Sequence, residues 1–369
     1  MAGHTGHFNR RELLRDLGVA AAFGSPGRWP GWVRAQGNAG EKTAGMAQLT
    51  SSAGGSGGTS QLFTLDAKVS RVSLTKGSDR GEIVLQALRN IEDEIWASIG
   101  DKKRILIKPN FVSTTRELAA SHPDEIRVIL DFLKPRYKHE TIVGEAAAGR
   151  GGTFEGYWNF SYLPLEKEYG VKLVDLNQQP WVYRYVFGSG HKPVAIRIIS
   201  TFLDPDIYII SAARMKTHDR VVTTLSLKNT VLGAPVNDGR KNDKSLTHME
   251  NSFTPQAVLH FNMFHLAQEI YPDLGVIDGF VGMEGNGPVG GTPVESRVAL
   301  ASLDPPARDT LTTKLTGFDP TKILYLSSMA EAGMGQGDLT KVHVIGTPVE
   351  QCQFKFKPHE RLLESYGSS

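Results

Sequence analysis

Along most of the chain, short apolar runs alternate with segments whose apolar residues recur at helical spacing. Ala67–Lys76 alternates apolar and polar and predicts a strand. Arg80–Ile95 places Val84, Leu88, Ile91 and Ile95 on one face and predicts a helix. Arg104–Phe111 predicts a short buried strand, and Asp124–Pro135 a helix stopped by proline. Strands are expected at Thr141–Gly149, Val171–Leu176, Asp206–Ala213, Leu274–Phe280, Arg297–Leu303 and Val342–Gly346. Helices are expected at Thr254–Tyr271 and Pro305–Gly317, with a whole or broken helix in TTLSLKNTVLG and a polar loop over Asn237–Ser252. This alternation predicts an α/β fold, a mostly parallel sheet with helices on both faces.

Trp181–Ser200 breaks the rhythm. Two alternating runs flank Gly-Ser-Gly and predict an antiparallel hairpin. Together with Tyr157–Tyr162 it makes an aromatic-rich insertion near residues 157–200, either a small subdomain or a lid over a site.

Residues 1–63 read differently. Asn9–Leu17 contains paired arginines and is followed by GVAAAFG, so residues 1–36 predict a twin-arginine export signal. Residues 37–63 are a Gly/Ser-rich linker, and the α/β domain occupies 64–369. The expected partner is then the twin-arginine export machinery and the expected location periplasmic or otherwise extracytoplasmic. Without the signal, the chain reads as cytoplasmic.

The 369 residues are 40% apolar and 22% charged, which are globular values. A net charge of +2 gives no global field for nucleic acid or anionic membrane, and no basic stripe is interleaved with aromatics. No apolar run is long enough to predict a membrane span. A single cysteine, Cys352, cannot supply a four-thiolate iron–sulfur cluster, a multi-cysteine zinc site or an internal disulfide.

In open parallel sheets, ligands bind beyond the carboxyl ends of the strands. Lys108 and Asn110 end one predicted strand and Glu145 the next. Asp175 ends a third, and Arg214, Lys216 and His218 follow a fourth. Asp278 ends the strand before a loop carrying Glu284 and Asn286, and Asp304 ends another strand. Lys228 and Asn229 sit in an otherwise apolar helical segment. Glu145, flanked by small apolar residues, needs a cation, a donor or a metal. Asp304, before Pro-Pro, equally fits a helix cap. The loop Glu284–Gly291 has glycines that would let backbone N–H groups cradle an anion, yet it lacks the Lys-Ser/Thr ending of a phosphate-binding loop. His260 and His265 are spaced five apart, which is poor for shared metal ligation.

With these pieces in order, the chain resembles the uncharacterised DUF362 family, often labelled iron–sulfur-centre-like. The resemblance is carried by ILIKPNF, GEAAAG, RMKTH with LSLKNTVLG, VIDGFVGMEGNGP, LASLDPPARD and GMGQGDLTKVHVIG. It implies that Lys108, Asn110, Glu145, Lys216, His218, Lys228, Asn229, Asp278, Glu284 and Asp304 fall in the family's motif blocks, without assigning them roles. Many members carry attached Cys-rich segments. This chain has one cysteine, so the cluster does not carry over.

Two functions fit. One is an enzyme acting on a small anionic molecule, a carboxylate or phosphate. Here Lys108, Asn110, Arg214, Asn229 and Asn286 would bind the ligand, and His218, Lys216, Lys228 and Glu145 would do the chemistry. Asp278, Glu284 and Asp304 offer oxygen ligands suited to magnesium, calcium or manganese. The other is a non-catalytic accessory protein that holds a ligand or cofactor in the same place.

Overall fold

The computed structural model describes residues 69–149, 151–188, 192–248 and 255–363. The predicted export signal and the linker lie outside the described residues. In chain order the described strands begin with β1 (Ser70–Lys76), β2 (Arg104–Lys108), β3 (Glu140–Glu145) and β4 (Lys172–Asp175). The hairpin follows as β5 (Trp181–Phe187) and β6 (Pro193–Ile199). Then come β7 (Ile207–His218), β8 (Val222–Thr224), β9 (Leu274–Glu284), β10 (Thr292–Val294), β11 (Val298–Ser302) and β12 (Val342–Gly346). The helices begin with α1 (Arg80–Arg89), α2 (Glu92–Ile99), α3 (Pro123–Leu133), α4 (Thr153–Asn159) and α5 (Pro164–Tyr169). They continue with α6 (Ser226–Val231), α7 (Asp243–Thr247), α8 (Pro255–Ala267), α9 (Pro305–Leu315) and α10 (Leu324–Glu331).

The sheet order is β12-β1-β11-β9-β7-β2-β3-β4, with β10 on β9 and β8 on β7. The strands from β4 through β9 run parallel to their neighbours. β11 runs antiparallel to both β9 and β1, while β12 is parallel to β1. The sheet is therefore mostly parallel, with β11 reversed within the main strand order and the short β8 and β10 antiparallel to β7 and β9. Helices cover both faces. On one face Ile83, Val84, Ile126 and Leu165 pack against Ile105, Ile107 and Val143. On the other, Leu227, Leu259, Met263 and Leu311 pack against Leu106, Ile209 and Ile277. Residues 80–95 form two helices rather than one, and the chain steps between them at Asn90 and Ile91.

β7 is the central strand, and all twelve of its residues are buried. It does not stop at Ala213. It continues through Arg214–His218, so the polar stretch that followed the predicted strand is itself strand. A sharp turn at Asp219–Val221 folds the chain back as β8, with Lys216 opposite Thr224 and His218 opposite Val222. β9 is extended in the same way and carries Asp278 in its middle, opposite Arg214, not at its end.

The hairpin is present, with Trp181 paired to Ile199 and Phe187 to Pro193. Its inward residues Val186, Ile196 and Ile198 join the core beneath α8, while Trp181, Tyr183, Tyr185 and Phe187 stay exposed on its outer side. The Tyr157–Tyr162 aromatics are not part of it. Tyr157, Phe160 and Tyr162 pack edge-on around Phe111 in the core of the opposite face. The α4 turn between β3 and β4 puts them there, so the expected single aromatic insertion divides into two separate groups.

Candidate functional site

At the carboxyl end of β2, Lys108 is fully buried. Its Nζ donates to Glu145 Oε2 at 2.5 Å, to Asn229 Oδ1 at 2.8 Å and to the Pro109 carbonyl at 2.9 Å. An ammonium has three donors, and here all three are used. Glu145, at the end of the adjacent β3, also accepts the Phe111 backbone N–H at 3.1 Å. Burial pushes the Lys108 amine down, and the Glu145 carboxylate opposes this.

Asn229, in the short helix α6, locks that helix to the strands. Its Nδ2 donates to the Lys108 carbonyl, to Ser211 Oγ and to the Ala212 carbonyl at 3.0–3.2 Å. Asn110 Nδ2 donates to Asn229 Oδ1 at 3.2 Å, and Asn110 Oδ1 accepts from Lys216 Nζ at 2.6 Å. Lys216 makes its second bond to the Ala119 carbonyl at 2.7 Å. Glu145, Lys108, Asn229, Asn110 and Lys216 thus form one continuous chain of hydrogen bonds across three strands and a helix. Gly233 makes room for it, because a Cβ there would lie 2.2 Å from Lys108 Cε and 2.3 Å from the Asn229 carbonyl oxygen.

Lys228, one residue before Asn229, differs from its neighbours. Only 8% of it is exposed, yet its Nζ donates no hydrogen bond to the described residues. Burial lowers its amine to about 8, Asp219 opposes that shift, and Arg220 adds to it. His218, at the end of β7, faces the same region. The Arg220 backbone N–H donates to His218 Nδ1 at 3.1 Å, and Asp219 Oδ1 lies 3.1 Å from the same nitrogen. Burial holds this imidazole well below its usual range, and Lys228, His248 and Arg220 add to the effect. Burial likewise pushes Lys216 well down, reinforced by Arg214 and Lys228 and opposed by Glu145.

Three contributors stand outside the residues singled out from the sequence. Lys244 in α7 donates to the Gly233 and Pro235 carbonyls, both at 2.6 Å, just past the carboxyl end of α6. Burial lowers it to about 7, with Lys108 adding and Glu145 and Asp175 opposing. His248 is held to about 3 by burial and by Lys228, while its Nδ1 lies 2.7 Å from the Lys244 carbonyl. Arg220 Nη1 donates to the His248 carbonyl at 2.6 Å. Arg220 sits within the basic stretch after Asp206–Ala213. Lys244 and His248 lie in a segment read as a polar loop, and nothing in that pattern marks them as buried.

The remaining predicted residues are elsewhere. Arg214 points away from Lys228 toward α3. It donates to the Ala120 and Val281 carbonyls at 2.7 and 2.9 Å and lies in a buried charged group with Arg80, Glu125 and Asp278. Asp278 is 3.1 Å from Arg80. Burial and Asp278 drive Glu125 well above the usual carboxyl range, with Arg214 and Arg80 opposing. Glu284 accepts the Lys357 backbone N–H at 2.9 Å. Asn286 is exposed and bonds Glu360 through both ends of its amide, at 3.2 Å each. Both therefore anchor the C-terminal segment instead of facing the lysines.

Asp304 lies at the opposite edge of the sheet, because β11 is the reversed strand. It caps α9 at Ala307 N and accepts from Ser70 Oγ, at the start of β1. The three carboxylates expected to share a cation are thus in three different places. No group of three or more His, Cys, Asp or Glu side chains with metal-site geometry occurs among the described residues. Asp175 also caps, accepting from Asn177 N and Thr153 Oγ1. His260 stacks on Tyr325, and Cys352 is buried in the core. No described helix is long and apolar enough to cross a membrane.

A groove of about 590 Å³ lies at the ends of β1 and β12, lined by Lys76, Glu82, Arg89 and Gly346 among others. Its charged side chains are solvated, and it lies apart from the buried lysines.

The family described as "Domain of unknown function (DUF362)" matches residues 105–314. That span covers β2 through α9 and so includes every residue of the lysine network. The thylakoid-associated protein sll1697 of Synechocystis sp. (strain ATCC 27184 / PCC 6803 / Kazusa) is 26% identical over 242 residues, covering 63% of this chain and 68% of its own length. A crystal structure of a protein from Thermotoga maritima aligns with a TM-score of 0.35 at 12% identity, covering 56% of this chain and 52% of that one.

Proposed function

The chain belongs to the DUF362 family, and within that family we propose that it is an enzyme acting on a small anionic molecule, a carboxylate or phosphate, bound at the carboxyl edge of β7 beside α6. One observation carries this assignment. Lys228 is only 8% exposed and its Nζ has no hydrogen-bond acceptor among the described residues, in a region where Lys216, Arg220 and His218 are also gathered. Burying an ammonium without an acceptor is unfavourable; Asp219 is the carboxylate that acts on its charge, and an anion would supply the missing hydrogen-bond acceptor. The nearby Glu145 cannot do so, since it is engaged by Lys108 and Phe111 N–H.

The division of labour follows from bond counts. Lys108, Asn110, Asn229 and Glu145 hold the frame and keep Lys216 in place. Lys228 and the His218 imidazole are left to meet the ligand. An amine near 8 is ionised enough at neutral pH to bind an anion and free enough to take up a proton. This supports turnover over simple storage.

The test is thermal unfolding of the purified full chain with inorganic phosphate and with small carboxylates, at constant ionic strength. A ligand at a hundred times its Kd stabilises by about 2.7 kcal/mol. The expected result is a rise in Tm that saturates, with affinity reduced at least about tenfold in Lys228→Gln. Stabilisation of equal size in wild type and Lys228→Gln would place the anion elsewhere and refute the assignment.

We also propose that residues 1–36 direct export through the twin-arginine machinery. The support is the Arg10-Arg11 pair followed by a short apolar stretch. A reporter fused after residue 63 should leave the cytoplasm, and the double substitution Arg10→Lys, Arg11→Lys should retain it there.

A further inference from the structure

The outer face of the β5–β6 hairpin is a strip of aromatic rings that the fold leaves uncovered. Trp181, Tyr183, Tyr185 and Phe187 alternate along β5, so all four project from one side, with successive rings about 7 Å apart. Their exposures are 41%, 56%, 58% and 38%. Opposite the last three on β6 stand Arg197, Ala195 and Pro193. Ala195 and Pro193 are too short to cover the rings. Arg197 stacks on Trp181 at 5.6 Å, where Asp238 and Asp243 hold its guanidinium. Phe187 meets Phe261 of α8 edge-on at 5.1 Å, and Phe261 is itself exposed, so the strip continues onto that helix. At about 150–250 Å² for each aromatic side chain, the four rings of β5 present on the order of 400 Å² to solvent. A contiguous patch of that size marks an interaction surface.

We propose that this face docks on the surface of an anionic lipid bilayer. Area and charge choose that occupant. A stable interface between folded proteins takes about 800 Å² from each partner, roughly twice what the strip offers. A bilayer sets no such minimum, because each ring enters the headgroup layer separately. Trp and Tyr are the side chains that settle there, with the apolar body inward and the polar tip at water. The charge lies along the rim. Lys192 is exposed at the end of the hairpin, where its carbonyl accepts the Gly188 N–H at 2.8 Å. Arg240 and Lys241 are exposed in the loop that holds Arg197. Arg197 Nη2 donates to the Lys241 carbonyl at 3.0 Å, and Lys241 Nζ lies 3.5 Å from the Ala195 carbonyl. The nearby carboxylates are occupied, Asp238 by Arg197 and Asp243 by Arg197 and Lys241. The rim is thus basic although the whole chain carries only +2, and cations bordering an aromatic face match anionic headgroups. Asp243 also ties the hairpin to α7, whose next residue, Lys244, is bonded to the end of α6. Docking through this face therefore fixes how the candidate site is oriented toward the bilayer.

The test is sedimentation of the purified full chain with vesicles of phosphatidylcholine alone and of phosphatidylcholine mixed with phosphatidylglycerol. The expected result is binding to the mixed vesicles that weakens as salt rises. The pair Tyr183→Ser, Tyr185→Ser should reduce it at least about tenfold. Trp158→Ser removes an exposed ring from α4, away from the hairpin, and should leave it unchanged. The pair Lys192→Glu, Arg240→Glu should also weaken binding to mixed vesicles at least about tenfold, and it keeps the test open if the tyrosine pair misfolds. All five side chains are exposed, so the Tm of each variant should match wild type. Full binding retained by the tyrosine pair would place the contact elsewhere on the chain, the N-terminal segment included, and overturn the proposal. Equal binding to neutral and mixed vesicles would overturn it as well. So would self-association that the tyrosine pair abolishes in a chain that binds no vesicles, which assigns the face to a second copy.

Discussion

Removing the Lys108 ammonium while keeping its bulk, as in Lys108→Met, separates the frame of the site from its chemistry. Lys108 and Glu145 are both almost wholly inaccessible to solvent, with 2.5 Å between Nζ and Oε2. The methionine variant leaves Glu145 with only the Phe111 N–H and leaves Asn229 Oδ1 with only Asn110. Stranding one member of a buried pair destabilises by about 3–5 kcal/mol. For a domain of this size that corresponds to a fall in Tm on the order of 10 °C. The double variant Lys108→Met, Glu145→Gln removes both charges, and its loss should be smaller than that of Lys108→Met alone by about 2 kcal/mol. Urea unfolding followed by tryptophan fluorescence, with melting curves as a second probe, measures all three. A loss under about 1 kcal/mol for Lys108→Met would refute the claim that this pair is a structural clamp. Strict additivity in the double variant would refute it equally.

Other consequences can be checked with the same preparations. Lys228 has its folded pKa lowered to about 8 from about 10.4 unfolded, so the unfolded chain binds more protons between those values. Stability should rise as pH increases through that window, and Lys228→Met should be more stable than wild type at pH 7 without ligand. Glu125 has the opposite linkage. Its carboxyl is raised, so its contribution is full at low pH and is lost as pH climbs above about 4.3. Glu125→Gln should flatten that part of the stability–pH profile in urea unfolding at pH 4.5–8. Gly233→Ala drives a methyl into Lys108 Cε and the Asn229 carbonyl, and unfolding should register a loss of about 1–3 kcal/mol together with weaker phosphate stabilisation. Asp304→Ala should lose about 1 kcal/mol from the α9 cap and leave phosphate stabilisation unchanged.

Much of this molecule is written in local pattern. Runs such as Ile105–Ile107 and Ile207–Ala213 are apolar because both faces of a parallel sheet are covered, and that composition identifies them without a structure. The glycine and proline positions punctuate the elements in the same way. The charged residues at the ends of β2, β3 and β7 were legible as a set because parallel strands bring their ends to one edge. Lys108, Glu145, Asn110, Lys216 and Asn229 indeed meet there through hydrogen bonds.

Tertiary structure decided the rest, for two physical reasons. First, the alternation that marks a strand is the same in either direction. Nothing in Arg297–Leu303 says that β11 runs backwards, and that reversal alone carries Asp304 to the far edge. Second, whether a charged side chain is solvated depends on acceptors that come from distant parts of the chain. Arg214 and Lys216 continue a buried strand because the carbonyls of Ala119, Ala120 and Val281 receive them. Lys244 is buried because α6 ends at its ammonium. Lys228 sits in the same setting with no acceptor among the described residues. Local sequence can show a lysine in an apolar helix; only the packed chain distinguishes a lysine held by hydrogen bonds from one without an acceptor among the described residues.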